Sequence, residues 1–179
     1  MNSNRVLPLV TTVEPQAPAV NFANTVLAAF EGLERLAAEM RDSVVVVSAV
    51  WEPDLEVAAD LIQRAFPGKV RWGEAKVLYR FEPQILEPIL HVEVRAPGDY
   101  VGNVIGDLMS RRGLMLGQEA CDEYLILAAD VPLAELFGYR KSLDACTTGK
   151  GTVTAVFAHY SPAPPWLDPN EPAAMALRA

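Results

Sequence analysis

The sequence predicts an α+β protein built of two βαββαβ sandwiches in tandem. Three observations carry this. Short apolar runs alternate with period two or continue as β-branched blocks. Between them, apolar residues return at steps of three and four. Breaks bearing proline, glycine or aspartate separate the two kinds of run. The 179 residues are 51% hydrophobic and 21% charged, enough apolar material for folded cores rather than a disordered chain. The expected division is 1–84, 85–160 and a proline-rich tail, 161–179.

The first passage opens with strand character over Arg5 to Val13, closed by Pro15 and Pro18. From Asn21, Phe22, Val26, Phe30, Leu33, Ala37 and Met40 keep helical spacing, which predicts one long helix with Asn21 as its cap. Asp42-Ser43 breaks it. Val44 to Val50 is a β-branched block, expected as a buried strand. A second helix is expected from Pro53 or Asp54 through Val57, Ala58, Leu61, Ile62, Ala65 and Phe66, stopped by Pro67-Gly68. Val70 to Trp72 and the alternating Ala75 to Phe81 complete the passage as extended segments.

The second passage begins at Pro88. Leu90, Val92 and Val94 face one way; His91, Glu93 and Arg95 face the other. After the Pro97-Gly98 turn, Asp99 is expected to cap a helix with the stripe Val101, Val104, Ile105 and Leu108. Gly113 is expected to end it in a left-handed conformation. Leu114–Gln118 and Glu123–Asp130 predict a hairpin. Pro132 predicts a helix start, with Leu133, Leu136 and Phe137 inside and Gly138 as its stop. Thr152 to Tyr160 is the last strand. Strand, helix, hairpin, helix, strand is the ferredoxin-like, split βαβ plan. Gly102 and Gly106 cost about 1 kcal/mol each within a helix, which implies close backbone approach to the sheet or a partner along that face.

Charge and composition exclude several classes. The net charge of −8 opposes long-range attraction to nucleic acid, and neither passage is basic: residues 1–85 hold 8 basic against 11 acidic side chains, residues 86–160 hold 6 against 10. No apolar run approaches the roughly 20 residues that span a bilayer. Met1 to Thr12 lacks the apolar core of a signal peptide. A soluble cytoplasmic protein with no membrane contact is the expectation. Cys121 and Cys146 fit no metal or redox spacing and are expected as isolated buried thiols. His91 and His159 lie on first and last strands with only Glu93 near, too few groups for a metal or acid–base site. No catalytic residue, cofactor, nucleotide or metal site is expected.

The stretches "LEPILHVEVRAPGDYVGNVIGDLMSRRG" and "VPLAELFGYRKSLDACTTGKGTVTAVFAHY" resemble the fifth domain of bacterial elongation factor G over Leu86 to Tyr160. "LEVAADLIQRAFPGKVRWGEAKVLYRFE" is similar to that factor's third domain. The resemblance implies two ferredoxin-like domains. It also implies departures. No G-x-x-x-x-G-K-[ST] phosphate loop is present, since Gly149-Lys150-Gly151 lacks the upstream glycine. Nothing matches the family's second domain. Glu82 passes directly to Leu86, where the family inserts a fourth domain. The run Asp42 to Trp51 stands where the family has a hairpin, and Trp51-Glu52-Pro53-Asp54-Leu55-Glu56 stands where its histidine motif lies. The expectation is a protein that is not an enzyme and does not hydrolyse GTP.

The resemblance assigns Arg111, Arg112 and Lys150 as contacts to ribosomal RNA. The purely physical alternative is that cations close the last helical turn, worth about 0.3–1 kcal/mol. Met109, Leu114 and Leu116 replace polar residues of the family, and Trp166 stands in the tail. These four are the candidates for a protein interface. The expected partner is the ribosome or another translation factor, which the chain would regulate or compete with. The alternative is a self-associating scaffold, a homodimer in which a second copy or the tail covers the open sheet face.

Overall fold

The computed structural model describes residues 7–42 and 44–167; most of the expected proline-rich tail, 168–179, lies outside the described residues. The chain divides into two compact units, Met1–Leu78 and Tyr79–Ala179.

In the first unit the order is β1 (Leu9–Pro15), α1 (Phe22–Ala29), β2 (Leu36–Arg41), β3 (Val44–Ala49), α2 (Glu52–Ala65), β4 (Val70–Trp72) and β5 (Lys76–Val77). The antiparallel sheet runs β2-β3-β1-β4, with β5 also on β1. Opposed residues share a face, so Leu9 with Ala49, Thr11 with Val47 and Val13 with Val45 make one buried side. Phe22 and Val26 of α1 and Ala58 and Ile62 of α2 are buried, and Phe22 meets Phe66 edge-on at 5.0 Å. Arg35 fixes the first turn of α2 by a two-pronged pair with Asp54, at 3.1 and 3.0 Å.

The long helix expected from Asn21 to Met40 is not formed. It ends at Ala29, and Gly32 turns the chain at φ +76°. Leu36 to Arg41 then pairs with β3 from Leu36↔Ala49 to Arg41↔Val44. The hairpin read as missing is therefore present. Ala37, Ala38 and Met40 favour helix locally, but the Val44–Ala49 strand offers a ladder partner, and pairing overrides propensity.

The second unit holds β6 (Arg80–Phe81), β7 (Ile85–Pro97), α3 (Val101–Ser110), β8 (Leu114–Cys121), β9 (Tyr124–Pro132), α4 (Tyr139–Thr147) and β10 (Thr152–Pro162). Its antiparallel sheet runs β10-β7-β9-β8, with β6 on β7. Both units thus have the ferredoxin-like order, fourth strand, first, third, second. Residues 79–84 go with this unit because Arg80↔Leu86 and Phe81↔Ile85 close a tight hairpin. Leu90, Val92, Val94, Leu127, Ala129 and Ala155 form the buried side of the sheet, under Val104 and Leu108 of α3 and Tyr139 and Leu143 of α4.

Three local expectations are corrected. Asp99 makes no cap; Gly98–Tyr100 is a single 3-10 turn leading into α3. Leu133–Leu136 is likewise a 3-10 turn, and the helix is α4, so Gly138 (φ +69°) precedes the helix rather than stopping it. Tyr139, Leu143 and Thr147 supply its buried stripe at steps of four. Finally, the open side of the sheet carries charged as well as apolar side chains. His91, Glu93 and Arg95 lie opposite Asp130, Ala128 and Ile126, and Arg95 sits 4.2 Å over the Tyr124 ring. The face also carries apolar Ile126, and Leu114 and Val156 on it are exposed, so it is mixed in character.

Candidate interaction surface at the end of α3

The residues singled out in the sequence concentrate where α3 passes into β8. Arg112 N–H donates to Met109 O (3.1 Å) and Gly113 N–H to Leu108 O (2.9 Å). These bonds define a Schellman closure. The left-handed residue is Arg112 (φ +59°), not Gly113 as expected. Gly113 is needed for another reason: a Cβ there would lie 2.6 Å from Leu108 O. A non-glycine residue in this conformation costs roughly 1–2 kcal/mol, so something must hold Arg112 in place.

Two glutamates do so. Arg112 donates from Nη1 and Nη2 to the two carboxylate oxygens of Glu87, at 2.9 and 2.7 Å, and from Nε to Glu135 at 3.0 Å. The glutamate side chains are 5% and 7% exposed. Burial opposes the charge on Arg112, but the bonds to Glu87 and Glu135 outweigh it and raise its pKa. Half-buried Tyr79 adjoins the cluster; burial first, then Glu87, pushes its phenol up. Arg111 also turns inward. Its Nε donates to Asp107 (3.1 Å) and its Nη1 to the carbonyls of Glu135 (2.6 Å) and Phe137 (3.3 Å), while its guanidinium lies 5.1 Å from the Tyr139 ring. Asp107 accepts a further bond from Ser142 Oγ at 3.1 Å. The arginine pair thus ties α3 to β7, to the 133–136 turn and to α4.

Lys150 is elsewhere. Its exposed turn passes through Thr148 (φ +53°) and Gly149 (φ +75°), and Thr148 Oγ1 meets Tyr100 Oη at 3.2 Å. That contact places Lys150 beside the start of α3, while the arginines are at its end. A ten-residue helix separates them by about 15 Å. The fold therefore does not bring the three basic residues into one cluster.

Met109, Leu114 and Leu116 are each more than half exposed around the junction. Leu116 sits at an irregularity between Met115 and Gly117 on the outer strand of the sheet. Leu114 falls opposite Asp130, and so joins a row with His91 and Val156 across the sheet. Trp166 is 68% exposed, yet its ring lies 5.5 Å from the Arg112 guanidinium. His91 Nδ1 pairs with Asp130 at 3.0 Å, not with Glu93 or His159. Cys121 is exposed, against expectation; Cys146 is half-buried, its thiol pushed up by burial and by Asp107. Among the described residues no group of three metal-ligating side chains occurs. No described helix is long and apolar enough to cross a membrane. Gly102 and Gly106 face open space, so close approach to the sheet is not their reason.

Sequence reasoning missed Glu87 and Glu135. The signal was available: each is a lone acid inside an apolar stretch, Ile85-Leu86-Glu87-Pro88-Ile89 and Leu133-Ala134-Glu135-Leu136. A carboxylate kept charged out of water calls for a cation or hydrogen-bond donors beside it.

A protein of two tandem ferredoxin-like units, the second closed by an arginine-bearing helix end, is the class this geometry defines. Comparison with known proteins narrows it: residues 84–169 match the family model described as elongation factor G C-terminus. Elongation factor G of Aquifex pyrophilus is 51% identical over 83 residues, which are 46% of this chain and 12% of that protein. Elongation factor G 1 of Synechocystis is 45% identical over 100 residues, 56% of this chain and 14% of that protein. Elongation factor G 1 of Pseudoalteromonas atlantica is 37% identical over 142 residues, 75% of this chain and 20% of that protein. The chain therefore spans a fifth or less of the length of these curated relatives. A crystal structure of a Thermus thermophilus protein shares the fold, with TM-score 0.60, 18% identity, and cover of 89% of this chain and 41% of that one. Over these residues the chain resembles the C-terminal domains of elongation factor G.

Proposed function

We propose that this chain is a non-catalytic, cytoplasmic relative of elongation factor G that binds the ribosome or a translation partner, as a regulator or a competitor. The observation that carries the reading is the match over residues 84–169, a range that includes the Arg111-Arg112-Gly113 junction. In this reading Arg111 and Arg112 set the shape of the junction and offer its rim to RNA, Lys150 meets a phosphate at the other end of α3, and Met109 and Leu114 supply apolar area to a protein neighbour. Apolar area covered by a partner contributes roughly 25 cal/mol per Å². The test is co-sedimentation with ribosomes at moderate salt. Wild type is expected in the pellet, and Lys150→Glu, a change at an exposed position, is expected to bind about tenfold more weakly. Wild type left wholly in the supernatant sinks the reading.

One observation favours a second reading, self-association. β8 is an edge strand whose outer side is unpaired, with Leu114 and Leu116 exposed along it. Edges of this kind accept another strand. Light scattering of wild type beside Leu116→Lys decides it: a dimer that the substitution dissolves supports the scaffold, and a monomer in both removes it.

A further inference from the structure

The chain beyond β10 does not leave the domain at once. Ala163 N–H donates to Ile85 O at 2.9 Å. Pro164 to Leu167 make a turn closed by Leu167 N–H on Pro164 O at 3.0 Å, with Pro165 in the position where proline fits. Leu167 is only 7% exposed. Trp166, one residue earlier, lays its ring against the Arg112 guanidinium. The segment therefore runs from the start of β7 to the guanidinium of Arg112 at the junction of α3 and β8, a residue that keeps 26% of its side chain exposed.

The fastening is slight. Among the described residues it comprises a backbone hydrogen bond to β7, a buried leucine and a ring on a guanidinium, the ring remaining mostly in water. Exposed ring–cation contacts are among the weaker ones. Against this stands the order of five residues, cheapened because Pro164 and Pro165 have fixed φ in any state. Segments with few buried contacts open locally without unfolding the domain. A strap so held is well matched to opening and closing.

We propose that residues 163–167 form a releasable strap that closes over Arg112 and withholds the α3–β8 junction from a partner until it lifts. The closing force at Arg112 is directional. Lifting Trp166 exposes a guanidinium face to water and to any aromatic or anionic group of an incoming surface. The strap and the partner then compete for the same side chain. The partner half of this proposal rests on the ribosome reading above; the strap half does not.

The experiment is native-state amide hydrogen exchange on the full chain, with ribosome pelleting as a second arm. The Ala163 and Leu167 amides are expected to exchange at least about tenfold faster than those of Val92 and Val94 in the ladder of β7. Leu167→Asp is expected to speed exchange at Ala163, Arg112 and Gly113 several-fold and leave Val92 and Val94 unchanged. If that variant also loosens Val92 and Val94, Trp166→Ala is read instead; it removes a solvated ring and is expected to act in the same direction. Pelleting of the released variant is expected to exceed that of wild type several-fold. Strap amides that exchange only as slowly as Val92, or a freed strap that leaves Arg112 and Gly113 unchanged, overturn the strap. Equal pelleting of both proteins overturns the withholding. Expected exchange with no pelleting of either protein leaves the strap supported and sinks the ribosome reading.

Discussion

Arg112 and Glu87 meet through two parallel hydrogen bonds of 2.9 and 2.7 Å, with the carboxylate almost wholly out of water. The pair joins the last turn of α3 to the start of β7, and it holds Arg112 in a left-handed conformation that side chains resist. A planar, two-pronged contact of this kind is one that lysine cannot reproduce.

Removing the guanidinium is therefore expected to be costly. Arg112→Ala removes the cation that Glu87 meets through two bonds, a loss of about 3 kcal/mol. Arg112→Lys recovers only part of it. Urea unfolding at neutral pH measures both. A loss under about 1 kcal/mol in the alanine variant would mean that the glutamates are hydrated after all, as surface pairs are.

The glycines of α3 and its exit divide into two kinds. Gly113→Ala forces a methyl against Leu108 O and is expected to lose about 2 kcal/mol. Gly102→Ala and Gly106→Ala meet nothing within 4 Å and are expected to gain roughly 0.5–1 kcal/mol each. Thermal melts separate them. A Gly102 and Gly106 double variant that is more stable yet pellets less with ribosomes would assign that open face to the partner.

Tyr139 carries a buried hydroxyl with no hydrogen-bond partner among the described residues. Burial first, then Asp107, drives its pKa well above the ordinary 10.0. The sign follows: the folded state keeps the phenol protonated, so its contribution is complete below pH 10.0 and is lost as pH rises beyond it. Tyr139→Phe removes the orphaned hydroxyl while keeping the ring under Arg111. It is expected to stabilise by about 1 kcal/mol at neutral pH and to flatten the alkaline loss. Unfolding curves at about pH 7 and above about pH 10 check both; a destabilised variant would show that the hydroxyl has a partner in solution.

Much of this fold is legible in the residues because period and breaks agree. The β7 alternation of Leu90, Val92 and Val94 and the α2 stripe through Ala58 and Ile62 appear where the spacing puts them. The errors arise where two signals conflict. Leu33, Ala37 and Met40 continue the helical spacing past Gly32, yet Gly32 ends the helix and the valine-rich β3 captures Leu36 to Arg41. α4 escaped notice because its stripe includes Thr147, a polar residue buried through hydrogen bonds to Leu143 O and Gly151 N. The candidate site was half readable. Arg111, Arg112 and Gly113 stood out as types, but their partners Glu87 and Glu135 lie 25 and 23 positions away, and such ties belong to tertiary structure alone.

Competition is the most direct measure of the central claim, that this chain shares a binding place with elongation factor G. Labelled elongation factor G is held on ribosomes at moderate salt and this chain is titrated in. The account predicts that the factor is displaced to baseline in proportion to added chain, with Lys150→Glu requiring about ten times more. Full retention of the factor at saturating chain, with the chain itself unbound, would contradict it.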